Sequence, residues 1–419
     1  MIFGEKMRKV LKATVTTVTK NVNGNEKECV RLYFQYNKEG KTYEEGNVKI
    51  YRRRDTGYVF DWDEMEYFDG MQPSDDELIF DGRPSERGTF CEYIDEDVEL
   101  GSVYVYWIVK GDSTPAGPLA VKVRDSRIWW RFDKILSEME RLCADFPNVR
   151  MVKEGNTVLG KPLYALYVGS CERTVALVGA VHAGESGPEI LLPALRTLLT
   201  RSPKLLDKVG LAVMPVVSAD NRDKMAKGYP PYIRKNAAGV DLNRNFDALW
   251  ETHDESYGLS SYDPESPTYH GAFPNSEPEV QAVVSLVTRA KPLAVFSYHH
   301  LCSVTSDRAL IAHETACDGD FISRSNALSK IYSDAFRKGL GVPENENAEC
   351  VPGCSVGSLP SFCYKNGKIP CFDFEMSPTT PSLHPATRDN TTVEMLYSAM
   401  NAHADGIEAT LEFLKNQEN

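Results

Sequence analysis

Near Arg127 the hydrophobic pattern of this 419-residue chain changes period, and no other feature constrains its fold as much. Before that point, β-branched and aromatic residues come in short runs at 10–16, 29–34, 47–52, 103–109 and 119–123, with a polar turn at 21–25. Runs of this kind with partial alternation read as strands. About seven of them in residues 1–125 predict an all-β sandwich. The acidic stretch 61–99 reads as a solvated face with long loops. After Arg127, Trp130, Ile135, Met139 and Leu142 fall at helical spacing. Strands at 175–181, 210–217 and 293–298 then alternate with helices at 189–199 and 279–288. That alternation predicts an α/β domain over residues 126–419, with helices on both faces of a central sheet. Ser186 with Glu189, and Ser276 with Glu279, carry a capping-box pattern at the two helix starts. Pro193 should kink the first of these helices.

Charge and composition narrow the partners. With 47 basic and 60 acidic side chains the net charge is −13. Residues 1–125 hold 18 basic and 24 acidic groups and the remainder 29 and 36, so neither half has the surplus that neutralising phosphates demands. Nucleic acid and anionic membranes are poor partners for such a chain. No apolar run approaches the ~18–20 residues that span a bilayer. Glu5, Lys6, Arg8, Lys9 and Lys12 interrupt any signal core at the start, so the expected location is cytoplasmic. The ten cysteines lack CxxC spacing and read as mostly reduced, although Cys350, Cys354, Cys363 and Cys371 cluster.

The chemistry concentrates at His182-Ala183-Gly184-Glu185, at the end of an apolar strand. Imidazole and carboxylate three residues apart at a strand-to-helix junction can converge on Zn²⁺ and leave a position open. A third ligand is available where another apolar strand ends in His299-His300. Side chains alternate along a strand, so one of the two faces the metal, and parity leaves the choice open. Arg234 and the segment Asp241-Leu242-Asn243-Arg244-Asn245 add guanidinium and amide groups. Glu375 lies on a late apolar strand, where a carboxylate is costly unless paired or used. His270, Asp220, Asn221 and Arg222 read as structural. His253, His313, His384 and His403 read as surface or loop residues.

From about Trp129 to the end, the ordered motifs resemble the carboxypeptidase A-like zinc carboxypeptidases. These motifs are His182 with Glu185, Arg234, residues 239–245, Tyr269-His270-Gly271 with Ser276-Glu277-Pro278-Glu279, His299 and Glu375. The resemblance implies a mixed central sheet and one zinc ion per chain on His182, Glu185 and His299, with His300 as the alternative to His299. It makes Glu375 the general base and later proton donor, and gives Arg234 the oxyanion. It gives Asn243 and Arg244 the C-terminal carboxylate of a peptide substrate, a fork-to-carboxylate contact that suits Arg. The N-terminal strands resemble fibronectin type III or Ig-like modules. There residues 98–104 are similar to a tyrosine corner and residues 111–118 to the turn before a last strand. Such a module would bind or position substrate.

Departures from the family pattern bear on the substrate. Gly184 stands where relatives acting on ordinary proteins carry Arg, and Gly353 where they carry a mobile Tyr. Tyr364 is nearby but reads as a packed aromatic. The specificity positions fall near Pro360 and Ser361, and residues 352–361 are similar to bacterial branches that cleave γ-D-glutamyl-diaminopimelate links in murein peptides. Two other readings compete. One is an aspartoacylase-like amide deacylase; the other is a non-catalytic binding protein on the same scaffold.

Overall fold

The computed structural model describes residues 10–36, 47–57, 66–87, 90–111, 114–185, 187–251, 260–299, 310–311, 318–341, 351–352, 356–374 and 392–417. The chain divides into two compact units, Met1–Trp129 with Lys224–Tyr232, and Trp130–Asp223 with Ile233–Asn419.

The first unit is all-β among its described residues before Trp129, apart from two short 3₁₀ turns. Its strands are β1 (Val10–Val22), β2 (Asn25–Tyr36), β3 (Val48–Asp55), β4 (Leu78–Gly82), β5 (Ser85–Arg87), β6 (Phe90–Asp95), β7 (Val103–Lys110) and β8 (Ala116–Lys122). They form two antiparallel four-stranded sheets, ordered β1-β2-β6-β5 and β4-β3-β7-β8. Alternation along β7 builds two cores. Tyr104, Tyr106 and Ile108 join Val30, Leu32 and Phe34 of β2, while Val103, Val105 and Trp107 join Tyr51 and Phe68. The backbone N–H of Glu99 donates to the Tyr104 hydroxyl at 3.1 Å, a contact of the tyrosine-corner kind. The acidic stretch 61–99 is not the run of long loops expected from its charge, since β4, β5 and β6 lie in it. Ile79, Phe80, Cys91 and Tyr93 pack against the core there.

The second unit opens with α1 (Phe132–Asp145), which buries Ile135, Met139 and Leu142. Then come β9 (Val149–Asn156), β10 (Pro162–Val168), β11 (Thr174–Gly179), α2 (Pro188–Arg201), α3 (Pro203–Leu206), β12 (Gly210–Met214) and α4 (Ala219–Ala226). Further along are α5 (Pro278–Ala290), β13 (Ala294–Tyr298), β14 (Leu310–Ile311), α6 (Gly319–Leu340), β15 (Val351–Pro352), α7 (Leu359–Lys365), β16 (Cys371–Phe374) and α8 (Val393–Lys415). The sheet is mixed, in the order β15-β14-β16-β13-β11-β12-β10-β9. Its centre, β12-β11-β13-β16, is parallel and buried on both faces, so those strands are mostly apolar rather than alternating, with Thr174, Ser297 and Asp373 as buried polar exceptions.

The capping box expected at Ser276 does not form. Ser186 lies outside the described residues, and α2 is capped at Gly187 without a side-chain bond. Helix α5 starts after Glu277, not after Ser276. Both candidate capping glutamates are drawn into tertiary contacts: Glu189 accepts from the Trp130 N–H at 2.8 Å, and Glu279 from the Val158 N–H at 3.1 Å. Helix α2 runs on through Pro193. No helix among the described residues is long and apolar enough to cross a membrane.

Candidate metal centre

The carboxyl ends of parallel strands are where open α/β sheets bind ligands, because the connecting loops open there. The chain leaves β11 through Ala180, held at φ 46°, and turns back into α2 by way of His182–Glu185. Glycine is required on both sides of this turn. A Cβ on Gly179 would lie 2.4 Å from the Gly187 Cα, and one on Gly187 would lie 2.3 Å from the Pro215 carbonyl. The Glu185 N–H donates to the His182 carbonyl at 3.1 Å and closes the turn. Behind it, Arg222 donates through Nη1 to the carbonyls of Ala183 and Glu185, at 2.8 and 2.9 Å, and pairs with the fully buried Glu189.

One ligand atom from each of His182, Glu185 and His299 lies within 4.8 Å of the others. His182 Nδ1 is 2.7 Å from Glu185 Oε1, and His299 Nδ1 is 3.0 Å from Glu185 Oε2. All three side chains are buried. The far side of each ring meets another carboxylate: His182 Nε2 is 2.9 Å from Asp241 Oδ1, and His299 Nε2 is 3.2 Å from Asp373 Oδ1 and 2.8 Å from Ser297 Oγ. Carboxylates at Nε2 favour the tautomer that keeps its proton there, leaving the Nδ1 lone pairs aimed at the oxygens of Glu185. Lone pairs converging from two imidazoles and a carboxylate are satisfied by a cation, and this donor set fits Zn²⁺. When the rings are instead protonated and donate from Nδ1, the burial that works to raise the pKa of Glu185 is outweighed by His182 and then His299, which hold the carboxyl well below the usual range.

Asp241 organises the next layer. Its Oδ2 accepts from Arg234 Nε at 2.9 Å and lies 2.7 Å from Nη2, while Oδ1 also accepts the Asn243 N–H at 3.0 Å and caps a short 3₁₀ turn, Leu242–Arg244. Burial again opposes ionisation, but Arg234 and then His182 keep this carboxyl far below its ordinary value. Asn243 donates to Asp373 Oδ2 at 3.0 Å and accepts from the Leu359 N–H at 3.0 Å. Arg244 is buried, with Nη1 donating to the Asn243 carbonyl at 2.9 Å. A Cβ on Gly357 would sit 2.0 Å from the Arg244 carbonyl, so the start of α7 can approach this turn only with glycine there.

His182, Glu185, Arg234, Asn243, Arg244 and His299 thus lie in one connected network, whereas His300 and Glu375 fall outside the described residues. Gly353, Cys350 and Cys354 also lie outside them, and Cys363 is a buried free thiol. Tyr364 packs edge-on against Phe321 and donates to Asp318 at 3.1 Å, as a packed aromatic would. His270 stacks on Trp250 with ring centroids 4.1 Å apart. Asp241, Arg222 and Asp373 organise the site without having been singled out for it in the sequence. The signal for Asp373 was available: it is a carboxylate inside the apolar run of sequence that leads to Glu375.

A mixed α/β sheet with a His-Glu-His cluster at its strand ends defines a metal-binding protein of the carboxypeptidase fold. Bovine thrombin-activatable fibrinolysis inhibitor, solved in complex with tick carboxypeptidase inhibitor, superposes with a TM-score of 0.57 at 20% identity, covering 70% of this chain and 99% of that one. A family model for zinc carboxypeptidases matches residues 135–390, and the chain belongs to that family. Human carboxypeptidase A6 is 28% identical over 262 residues, 55% of this chain and 56% of its own. Murein peptide amidase A of Escherichia coli K12 is 35% identical over 150 residues, 35% of this chain and 57% of its own. The chain spans about half the length of the curated relatives it matches.

Proposed function

We propose that this protein is a zinc-dependent carboxypeptidase that hydrolyses the C-terminal amide bond of peptides, with murein-derived peptides carrying a γ-D-glutamyl-diaminopimelate link as the substrate class. The observation that carries the reading is the His182-Glu185-His299 cluster, buried at the strand ends and bonded through Asp241 to Arg234. A bound zinc ion supplies Lewis acidity and acidifies water near neutral pH. The protein's own residues do the rest. His182, Glu185 and His299 hold the ion, and Asp241 and Asp373 fix the rings. Arg234 faces the carbonyl oxygen as negative charge develops, a role worth ~10²–10³-fold by analogy with oxyanion-hole donors. Glu375 takes the proton of the attacking water and returns it to the leaving amine. Asn243 and Arg244 receive the substrate's terminal carboxylate. Identity to murein peptide amidase A, Gly184 and the composition of residues 352–361 support the murein assignment. Residues 1–125 and 126–419 are read as separate domains, supported by the change of periodicity and by separate hydrophobic cores. Free thiols at Cys29, Cys143 and Cys171 suit a reducing compartment and support a cytoplasmic location.

The test is digestion of C-terminal peptides and murein tri- and tetrapeptides, read by mass spectrometry, with each peptide offered as free acid and as amide. The wild type should favour the acid strongly, and Arg244→Ala should be slow and nearly indifferent, because amidation removes the charge the guanidinium pairs with. Equal kcat/KM for acid and amide in the wild type would remove the carboxypeptidase assignment. Release of the acyl group from small acyl amino acids alone would favour the deacylase.

A further inference from the structure

Asp373 joins two parts of the site that the proposed mechanism treats as separate. In the parallel pair β13–β16 it stands in register with Ser297. Side chains repeat every second residue along a strand, so His299 rises on the same face as Ser297. The ring therefore reaches both, with Nε2 2.8 Å from Ser297 Oγ and 3.2 Å from Asp373 Oδ1. The other oxygen of Asp373 accepts from Asn243 Nδ2 at 3.0 Å. The orientation of that amide is not arbitrary. The backbone N–H of Leu359 can only donate, so it fixes Oδ1 on its own side at 3.0 Å and turns Nδ2 toward the carboxylate. Asp373 and Asn243 are both buried, at 3% and 5% exposed. A buried carboxylate with the imidazole beside one oxygen and the amide donating to the other transmits a shift of either neighbour to the other.

We propose that Asp373 is a positioning residue that couples zinc binding at His299 to the setting of Asn243 in the carboxylate clamp. The proposal rests on the reading of His299 as a zinc ligand and Asn243 as a substrate contact. It predicts that Asn243, whose side chain has neither a zinc ligand nor Asp241 among its hydrogen-bond partners, nevertheless affects metal affinity. Loss of a carboxylate behind a ligating imidazole typically costs ~10–100-fold in metal affinity.

The experiment measures zinc affinity of metal-stripped protein by competition with a chromogenic chelator, using the metal alone. Asp373→Asn should weaken zinc about tenfold or more, and Asn243→Ala severalfold. The double variant should be no weaker than Asp373→Asn, since the second change acts only through the first. Ser297→Ala touches the ring but not the amide, so its effect should multiply with that of Asn243→Ala. Unchanged affinity in Asn243→Ala, or multiplicative effects in the Asp373 pair, would overturn the proposal. If Asp373→Asn does not fold, the Asn243→Ala measurement decides alone. The readout needs no peptide, so a wild type that cleaves nothing removes the carboxypeptidase reading while leaving this cycle to be judged by itself.

Discussion

His182 and Asp241 are bonded through Nε2 and Oδ1 at 2.9 Å, although 59 residues separate them in the chain. The same carboxylate holds Arg234 through Oδ2, so one buried Asp fixes the tautomer of a proposed ligand and the place of the proposed oxyanion partner. Displacing either neighbour would leave the carboxylate short of a donor in a buried setting, which is why the cluster is expected to behave as a unit.

Wild-type protein should carry one zinc ion per chain by elemental analysis, and His182→Ala with His299→Ala should carry essentially none. His300→Ala should keep its metal. Zinc retained at wild-type level in the double variant would place the metal elsewhere.

Glu375→Gln should keep its zinc and bind substrate, yet lose ~10²–10⁴-fold in kcat, the usual contribution of a positioned proton-transfer group. Single-turnover kinetics with the metal content measured in parallel checks it. Near-normal turnover would mean that another group is the base.

Arg222→Met should destabilise the second unit by about 3–5 kcal/mol, because Glu189 would lose its guanidinium partner at a fully buried position. Adding Glu189→Gln should recover part of that loss, since it removes the carboxyl left behind. The variant should also bind zinc more weakly, as the carbonyls of Ala183 and Glu185 lose their donor. Denaturant midpoints and chelator competition read the two effects, and a wild-type midpoint would refute the first.

The first unit should lose stability in alkali through Tyr106. Burial and then Asp95, which accepts from the hydroxyl at 2.8 Å, push this phenol well above its ordinary pKa. The folded form keeps its proton where the unfolded form gives it up. Its contribution is therefore complete below about pH 10 and falls by about 1.4 kcal/mol per pH unit above that. Tyr106→Phe should be less stable than wild type at pH 8, with the gap closing between pH 10 and 11. A gap independent of pH across that range would contradict the assignment.

The sequence by itself determined the switch from β to α/β near Arg127, because period two and period 3.6 are written in the order of apolar residues. It also pointed to candidate chemistry at His182, Glu185 and one of His299 and His300, because ligand types at strand ends are few and recognisable, and the family resemblance chose His299. Charge hid β4 to β6, where interspersed acidic residues masked the packing of Ile79, Phe80, Cys91 and Tyr93 against the core. Tertiary structure alone decided what Glu189 and Glu279 do: each stands three residues after a Ser, where the sequence reads as a capping box, and each is taken by a partner distant in sequence. The same holds for Asp241, Asp373 and Arg222. Their hydrogen bonds to the site residues exist only once sheet register and helix packing bring them within 3 Å or so. A buried carboxylate is legible in a sequence as a cost, but the donor that meets it is set by the fold.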